Sequence, residues 1–141
     1  MNNILFYNNN TSFTLKNKNK IKAWIIASVQ EEEHHISEIQ YIFCDDSFIL
    51  ELNKKALQHN YFTDIITFQY NNKKEPIQSE IYISVDTVKS NAKLFNTSFQ
   101  KELLRVIIHG VLHCCGYNDK TKAQEKQIRD KENYYLNKIV L

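Results

Sequence analysis

Only two glycines and one proline occur in the 141 residues of this chain. Glycine supplies the left-handed positions of tight turns and proline the stiff breaks of linkers, so a sequence poor in both has little room for interdomain linkers or low-complexity spacers. No internal repeat is visible. No stretch approaches the roughly 20 apolar residues of a membrane span, and the opening M-N-N-I-L-F-Y has neither a basic leader nor an apolar run of signal-peptide length. The expectation is a cytoplasmic protein with no membrane partner. Three cysteines, two of them adjacent, do not make a disulfide framework and fit a reducing compartment. A strong excess of one charge is also missing: 18 Lys and Arg against 16 Asp and Glu leave +2, which permits nucleic acid as a partner without arguing for it.

What is present is an ordinary globular composition, 43% hydrophobic and 24% charged, in a length suited to one domain over residues 1–141. Ile4 to Tyr7 reads as a strand. Lys16, Lys18, Lys20 and Lys22 make a basic stretch, read as a solvated loop or helix entry, and Ile21, Trp24, Ile25, Ser28 and Val29 then recur at helical spacing. Ile39, Tyr41 and Phe43 alternate as a strand; Asp45 or Asp46 caps a helix whose apolar stripe is Phe48, Ile49, Leu52, Ala56 and Leu57. Leu57 is thus expected in the core or on a cleft wall. Ile65 to Tyr70 and Glu80 to Val85 are β-rich runs joined by a polar loop with Lys73 and Lys74 at its tip. Asp86 is placed as the next helix cap, and Thr97 with Gln100 as a capping box. From Thr121 the pattern Ala123, Ile128, Tyr135, Leu136, Ile139 gives a last amphipathic helix. Interspersed strands and helices predict an α+β fold, with about four strands in a mixed sheet covered by helices on at least one face.

The chemistry-bearing stretch is His109 to Asp119, H-G-V-L-H-C-C-G-Y-N-D. Histidines four apart project from one helix face, where one metal ion reaches both. Leu103, Leu104, Val106, Ile107, Ile108, Val111 and Leu112 surround them, so the helix is expected to be buried, and buried imidazoles need partners. Gly116 ends the helix, and the next three residues can bring Asp119 back to the histidine face. His109, His113 and Asp119 then form a three-ligand site for one divalent ion, with zinc favoured by the donor set and a fourth position open for catalysis. Two other readings stand beside this one. The histidines can be hydrogen-bonded core residues, and Asp119 can cap the helix that follows. Cys114 and Cys115 lie off the ligand-bearing face and, with Cys44, read as small buried side chains. His34 and His35, beside three glutamates, read as exposed and unligated. The spacing also matches the long zinc-protease motif, but Gly110 stands where that motif has its glutamate base.

The same run resembles the signature of the YbeY family of bacterial endoribonucleases, usually H-G-x-L-H-L-x-G-Y-D-H. Leu52-Asn53 followed by Thr63-Asp64-Ile65-Ile66-Thr67-Phe68 resembles the family's L-N and T-D-V-L-S-F blocks, and Glu80-Ile81-Tyr82-Ile83-Ser84 its G-D-I-x-I-S segment. The chain departs from the pattern twice: Asp119 replaces the third histidine, and Leu57 replaces an arginine suited to contacting phosphate. The resemblance implies an α+β domain that uses a metal to cut single-stranded RNA in ribosomal RNA maturation and quality control. Its partners would be the ribosome or assembly factors, with no nucleotide cofactor. With arginine absent, Lys54, Lys55 and His59 are the nearest candidates to meet phosphate, and His59 alone also offers acid or base chemistry near neutral pH. Two rival functions are a peptidase, against which Gly110 speaks, and a non-catalytic ribosome-assembly factor whose metal only holds a helix end.

Overall fold

The elements of the computed structural model, which describes residues 3–58 and 63–141, run β1 (Asn3–Asn9), α1 (Lys18–Glu31), β2 (Ile36–Cys44), α2 (Asp46–Leu57), β3 (Ile65–Gln69), β4 (Ile77–Ser84), α3 (Val85–Leu94), α4 (Phe99–Cys114) and α5 (Lys122–Leu136). The strands form one sheet in the order β1-β2-β4-β3. β1 and β4 each lie parallel to β2, and β3 is antiparallel to β4. Parallel neighbours need a crossover. α1 makes the first, and α2 with β3 lies within the second.

Strand alternation sorts the side chains between two faces. Ile39, Tyr41 and Phe43 of β2, with Ile81 and Ile83 of β4, join α1 and α4 in the main core. Cys44 and Ile66 point the other way, against Ile49 of α2, with Phe48, Leu52, Phe68 and Tyr82 packed around them. Helices therefore cover both faces. α4 is the central element, touching α1, α3, α5, β3 and β4. The hydroxyl of the fully buried Tyr41 donates to the carbonyl of Ile107 at 3.0 Å, tying β2 to the middle of this helix.

Local capping differs from the sequence expectation at two helices. Ser98, one residue after Thr97, caps α4 by accepting from the Lys101 amide at 3.1 Å. Thr97 instead closes the preceding turn, its amide bonded to the Ala92 carbonyl. Ser84, not Asp86, caps α3, and Asp86 accepts from the Asp46 amide at the start of α2. Asp45 caps α2 as expected. The apolar stripe of α2 stops short, however. Asn53 is buried while Ala56 and Leu57 are exposed, so Leu57, at 44% relative exposure, is neither core nor one of the residues lining the main cleft.

Gly110 explains how α4 sits so close to the sheet. A Cβ at this position would lie 3.0 Å from the Ile65 Cδ1 and 3.1 Å from two Ile81 methyls. Gly110→Val adds three carbons there. Overpacking of this kind costs about 1–3 kcal/mol, more than the few tenths that valine gains over glycine in helix propensity. The expected net loss is about 2 kcal/mol by urea denaturation; an unchanged midpoint would mean that the helix–sheet gap is not a constraint.

Candidate metal centre

Beyond Gln100 and Lys101 in its first turn, α4 carries polar side chains at Glu102, Arg105, His109 and His113, spaced three, four and four residues apart and so along one face. The two imidazoles are half-buried, their rings 4.5 Å apart and nearly perpendicular. The helix ends through Gly116 at φ +103°, with the Tyr117 amide bonded to the Leu112 carbonyl and the Gly116 amide to the His113 carbonyl. That is the Schellman closure, which requires a left-handed residue. The chain leaving it folds back under the histidines.

Three ligand atoms converge as a result. His109 Nε2 and His113 Nε2 lie 3.0 Å apart, and Asp119 Oδ2 lies 3.4 Å from the first and 3.3 Å from the second. Among the described residues these three side chains form the group able to hold an ion. A tetrahedral zinc with bonds of about 2.1 Å has ligand–ligand edges of about 3.4 Å, so the donor triangle has the right size. Asp119 does not cap α5. Thr121 does, in a capping box with Gln124.

Each imidazole is held by its other nitrogen. His109 Nδ1 lies 2.6 Å from Glu132 Oε2 of α5, and His113 Nδ1 lies 2.8 Å from the Tyr117 carbonyl. An acceptor at Nδ1 fixes the tautomer and leaves the Nε2 lone pair free to ligate. With both Nε2 atoms unprotonated, three lone-pair-bearing atoms face one another, a repulsion that a metal ion or a shared proton relieves. Glu132 is itself buried and bound to Arg105 at 3.0 Å. Burial would raise the Glu132 carboxyl, but the bond and charge of His109, with Arg105, hold it below the ordinary glutamate range. Burial likewise pulls His109 down, and Glu132 more than reverses this. His113 is lowered by burial and by its neighbour His109.

His109 and Asp119 border a cleft of about 530 Å³ whose lining includes Asp64, Glu102, Arg105 and Glu132. Burial pushes the carboxyls of Asp64 and Glu102 up. As site residues Glu102, Arg105 and Glu132 escaped the sequence reading, and Asp64 entered it only as part of the block Thr63 to Phe68. Glu102 and Arg105 were legible, being polar residues in register with His109; Glu132 was not, since its charge sits among the solvated charges of α5. Cys44 and Cys114 are buried as expected, whereas Cys115 is half-buried. Burial raises Cys44 and Cys115 to about 12 and Cys114 to about 11, and none of the three belongs to the donor triad. His34 and His35, on the turn between α1 and β2, stand apart from the triad. Lys54 pairs with Glu51, and Lys73 and Lys74 are exposed on the β3–β4 loop. His59 lies outside the described residues.

A family model described as endoribonuclease YbeY matches residues 4–140. The chain belongs to the YbeY family. The endoribonuclease YbeY of Cytophaga hutchinsonii is 40% identical over 133 residues, 94% of this chain and 93% of its own. That of Bacteroides fragilis is 46% identical over 119 residues, 84% and 85% of the two chains. A Thermotoga maritima protein solved in solution superposes with a TM-score of 0.67 at 28% identity, covering 95% of this chain and 87% of that one. Where the YbeY signature has its third histidine, the third candidate donor here is the carboxylate of Asp119.

A partly buried anchor holds the turn that leads to Asp119. Glu32, just past α1, accepts from the Tyr117 hydroxyl at 2.7 Å, from Lys131 at 3.2 Å and from the Tyr135 hydroxyl. Burial alone would raise its carboxyl, but the bonds from Tyr135, Tyr117 and Lys131 outweigh burial and lower it. A depressed folded pKa stabilises fully above the unfolded value, about 4.3 for glutamate, and the effect disappears as pH falls through the folded value. Glu32→Gln is therefore expected to lose about 2 kcal/mol at pH 7, the scale of a charged hydrogen bond, and to lose less between pH 7 and pH 3 than the wild type. Melting curves at the two pH values check this; parallel losses would exclude the Glu32 charge as the anchor.

Proposed function

We propose that this chain is a metal-dependent endoribonuclease, one hydrolase domain over residues 1–141, that cuts single-stranded RNA in ribosomal RNA processing. The 3′ end of the small-subunit RNA and ribosome quality control are the setting, in the cytoplasm, with the ribosome or its assembly factors as partners. His109, His113 and Asp119 hold one divalent ion, zinc. The observation that carries the reading is the triangle of Nε2, Nε2 and Oδ2 atoms, each imidazole oriented from behind, in a chain of a family whose members are named endoribonucleases.

When bound, the ion supplies Lewis acidity and an acidified water beside the cleft. The protein's own groups do the rest. Glu132 and the Tyr117 carbonyl retain the Nδ1 protons and keep both rings turned inward. Asp119, a carboxylate in place of an imidazole, lowers the net charge of the site by one and so weakens the ion as an acid while admitting harder ions. Asp64, its carboxyl raised by burial at the cleft, is placed to hold a proton near the reacting phosphate, and His59 is the sequence's candidate for the same task. Gly110 faces Ile65 and Ile81 of the sheet, so the α4 motif contributes no base of the peptidase kind.

Elemental analysis is expected to find close to one divalent ion per chain. His109→Ala and His113→Ala should each abolish it, Asp119→His should retain it, and Asp119→Asn should weaken binding by more than the roughly 10–100-fold that loss of a ligand's hydrogen-bond partner costs. A wild type that takes up no metal from supplied zinc refutes the ligand set.

Cleavage of single-stranded RNA by the metal-loaded protein should be slow, faster than on duplex, and absent in the His109→Ala, His113→Ala double variant. Equal cleavage by wild type and double variant at matched purity would identify a contaminating nuclease. No cleavage by a metal-loaded wild type that co-sediments with ribosomes would leave the assembly-factor function instead.

A further inference from the structure

The wall of α5 that faces the cleft carries Lys122, Lys126 and Arg129, which line it together with His109 and Asp119. Their spacing of four and three residues puts them on one helical face, over about 10 Å of helix axis. The same helix brings two carboxylates to the cleft, Glu125 beside them and the buried Glu132. Their present pairings are weak. Lys126 meets Asp130 at 2.8 Å with both side chains mostly in solvent, and Arg129 reaches Glu132 only at 3.7 Å, where Arg105 and His109 already hold that carboxylate more closely. Lys122 has no ion pair among the described residues. Exposed pairs contribute roughly 0–1 kcal/mol, so an incoming anion displaces them readily.

The acidic groups deeper in the cleft do not cancel this wall. Glu132 is compensated by Arg105 and His109, and burial pushes the Glu102 carboxyl toward its neutral form. The three cations stand at the solvated rim; of the other carboxylates lining the cleft, Asp119 belongs to the donor triad and Asp64, like Glu102, is raised by burial. A stripe of about 10 Å is long enough to meet successive phosphates of one strand, and it ends beside Asp119.

We propose that Lys122, Lys126 and Arg129 form a phosphate track on α5 that holds the backbone of single-stranded RNA against the metal site. The inference rests on the endoribonuclease reading and names where that substrate lies. The track binds sugar-phosphate rather than bases, so it sets affinity and register without sequence preference.

Binding of a fluorescent single-stranded RNA oligonucleotide to the metal-loaded protein, followed by anisotropy across a salt series in the cold, tests this. Three proteins are compared: the wild type, the Lys122→Gln, Lys126→Gln, Arg129→Gln variant, and a Lys16→Gln, Lys18→Gln, Lys20→Gln control that removes the same charge at the exposed start of α1. Each lost phosphate contact flattens the slope of log affinity against log salt by about 0.7 on a single strand. The α5 variant should lose about 2 from the slope and about tenfold or more in affinity near 0.1 M salt, with unchanged metal content and melting temperature, while the control stays near wild type. A wild-type slope in the α5 variant, or equal losses in both variants, overturns the track and leaves the endoribonuclease reading intact. A wild type that binds no RNA at any salt overturns that reading and the track with it.

Discussion

Two imidazole nitrogens 3.0 Å apart, each with its partner nitrogen already committed to an acceptor, repel unless something positive stands between them. Much of the structure serves to hold them there. The spacing of His109 and His113 is set by α4, which Gly110 lets press onto β3 and β4 and which Tyr41 pins from β2. Ring orientation is set from outside α4, by Glu132 on α5 and by the turn that Gly116 permits. A metal that binds only this arrangement stabilises the whole domain by mass action, because its three donors are convergent only when α4, the turn and α5 are packed together.

The fold was legible where one physical signal dominated. Alternation in β2 and helical spacing in α1 and α4 reflect burial against a single face, and all three elements lie where their periodicity puts them. Leu57 fails the same test: the stripe beginning at Phe48 and Ile49 continues on paper, yet α2 runs past the edge of the small core under β3 and β4, and its last turn stands in solvent. Caps were less legible because neighbouring serines and threonines compete. At α4, Thr97 and Ser98 both qualify chemically, and the preceding turn claims Thr97.

The centre divides along a similar line. His109, His113 and Asp119 are close in sequence and joined by one helix end, so local geometry brings them together. Glu132 and Glu32 reach the site across 23 and 85 residues, through His109 and Tyr117 respectively, and no local pattern separates them from the solvated glutamates around them. Only packing shows that these two acids are shielded and partnered. The support of a metal site is a tertiary property even where its ligands are nearly contiguous.

Charge is layered outward from this centre. Glu132, buried, is shared by Arg105 and His109, an arrangement in which removing any one member strands the others without water. Two of the Arg105 donors are spent on this arrangement, one on Glu132 and one on Asn133 of α5, although the residue also lines the cleft. Cations free to meet an anion must therefore come from a shell farther out, where pairing is weak and solvent screens it. In this chain that shell is the outer wall of α5. Arginine close to the metal is committed to holding a histidine, and the task of neutralising a phosphate backbone falls to lysines and an arginine whose present partners hold them loosely.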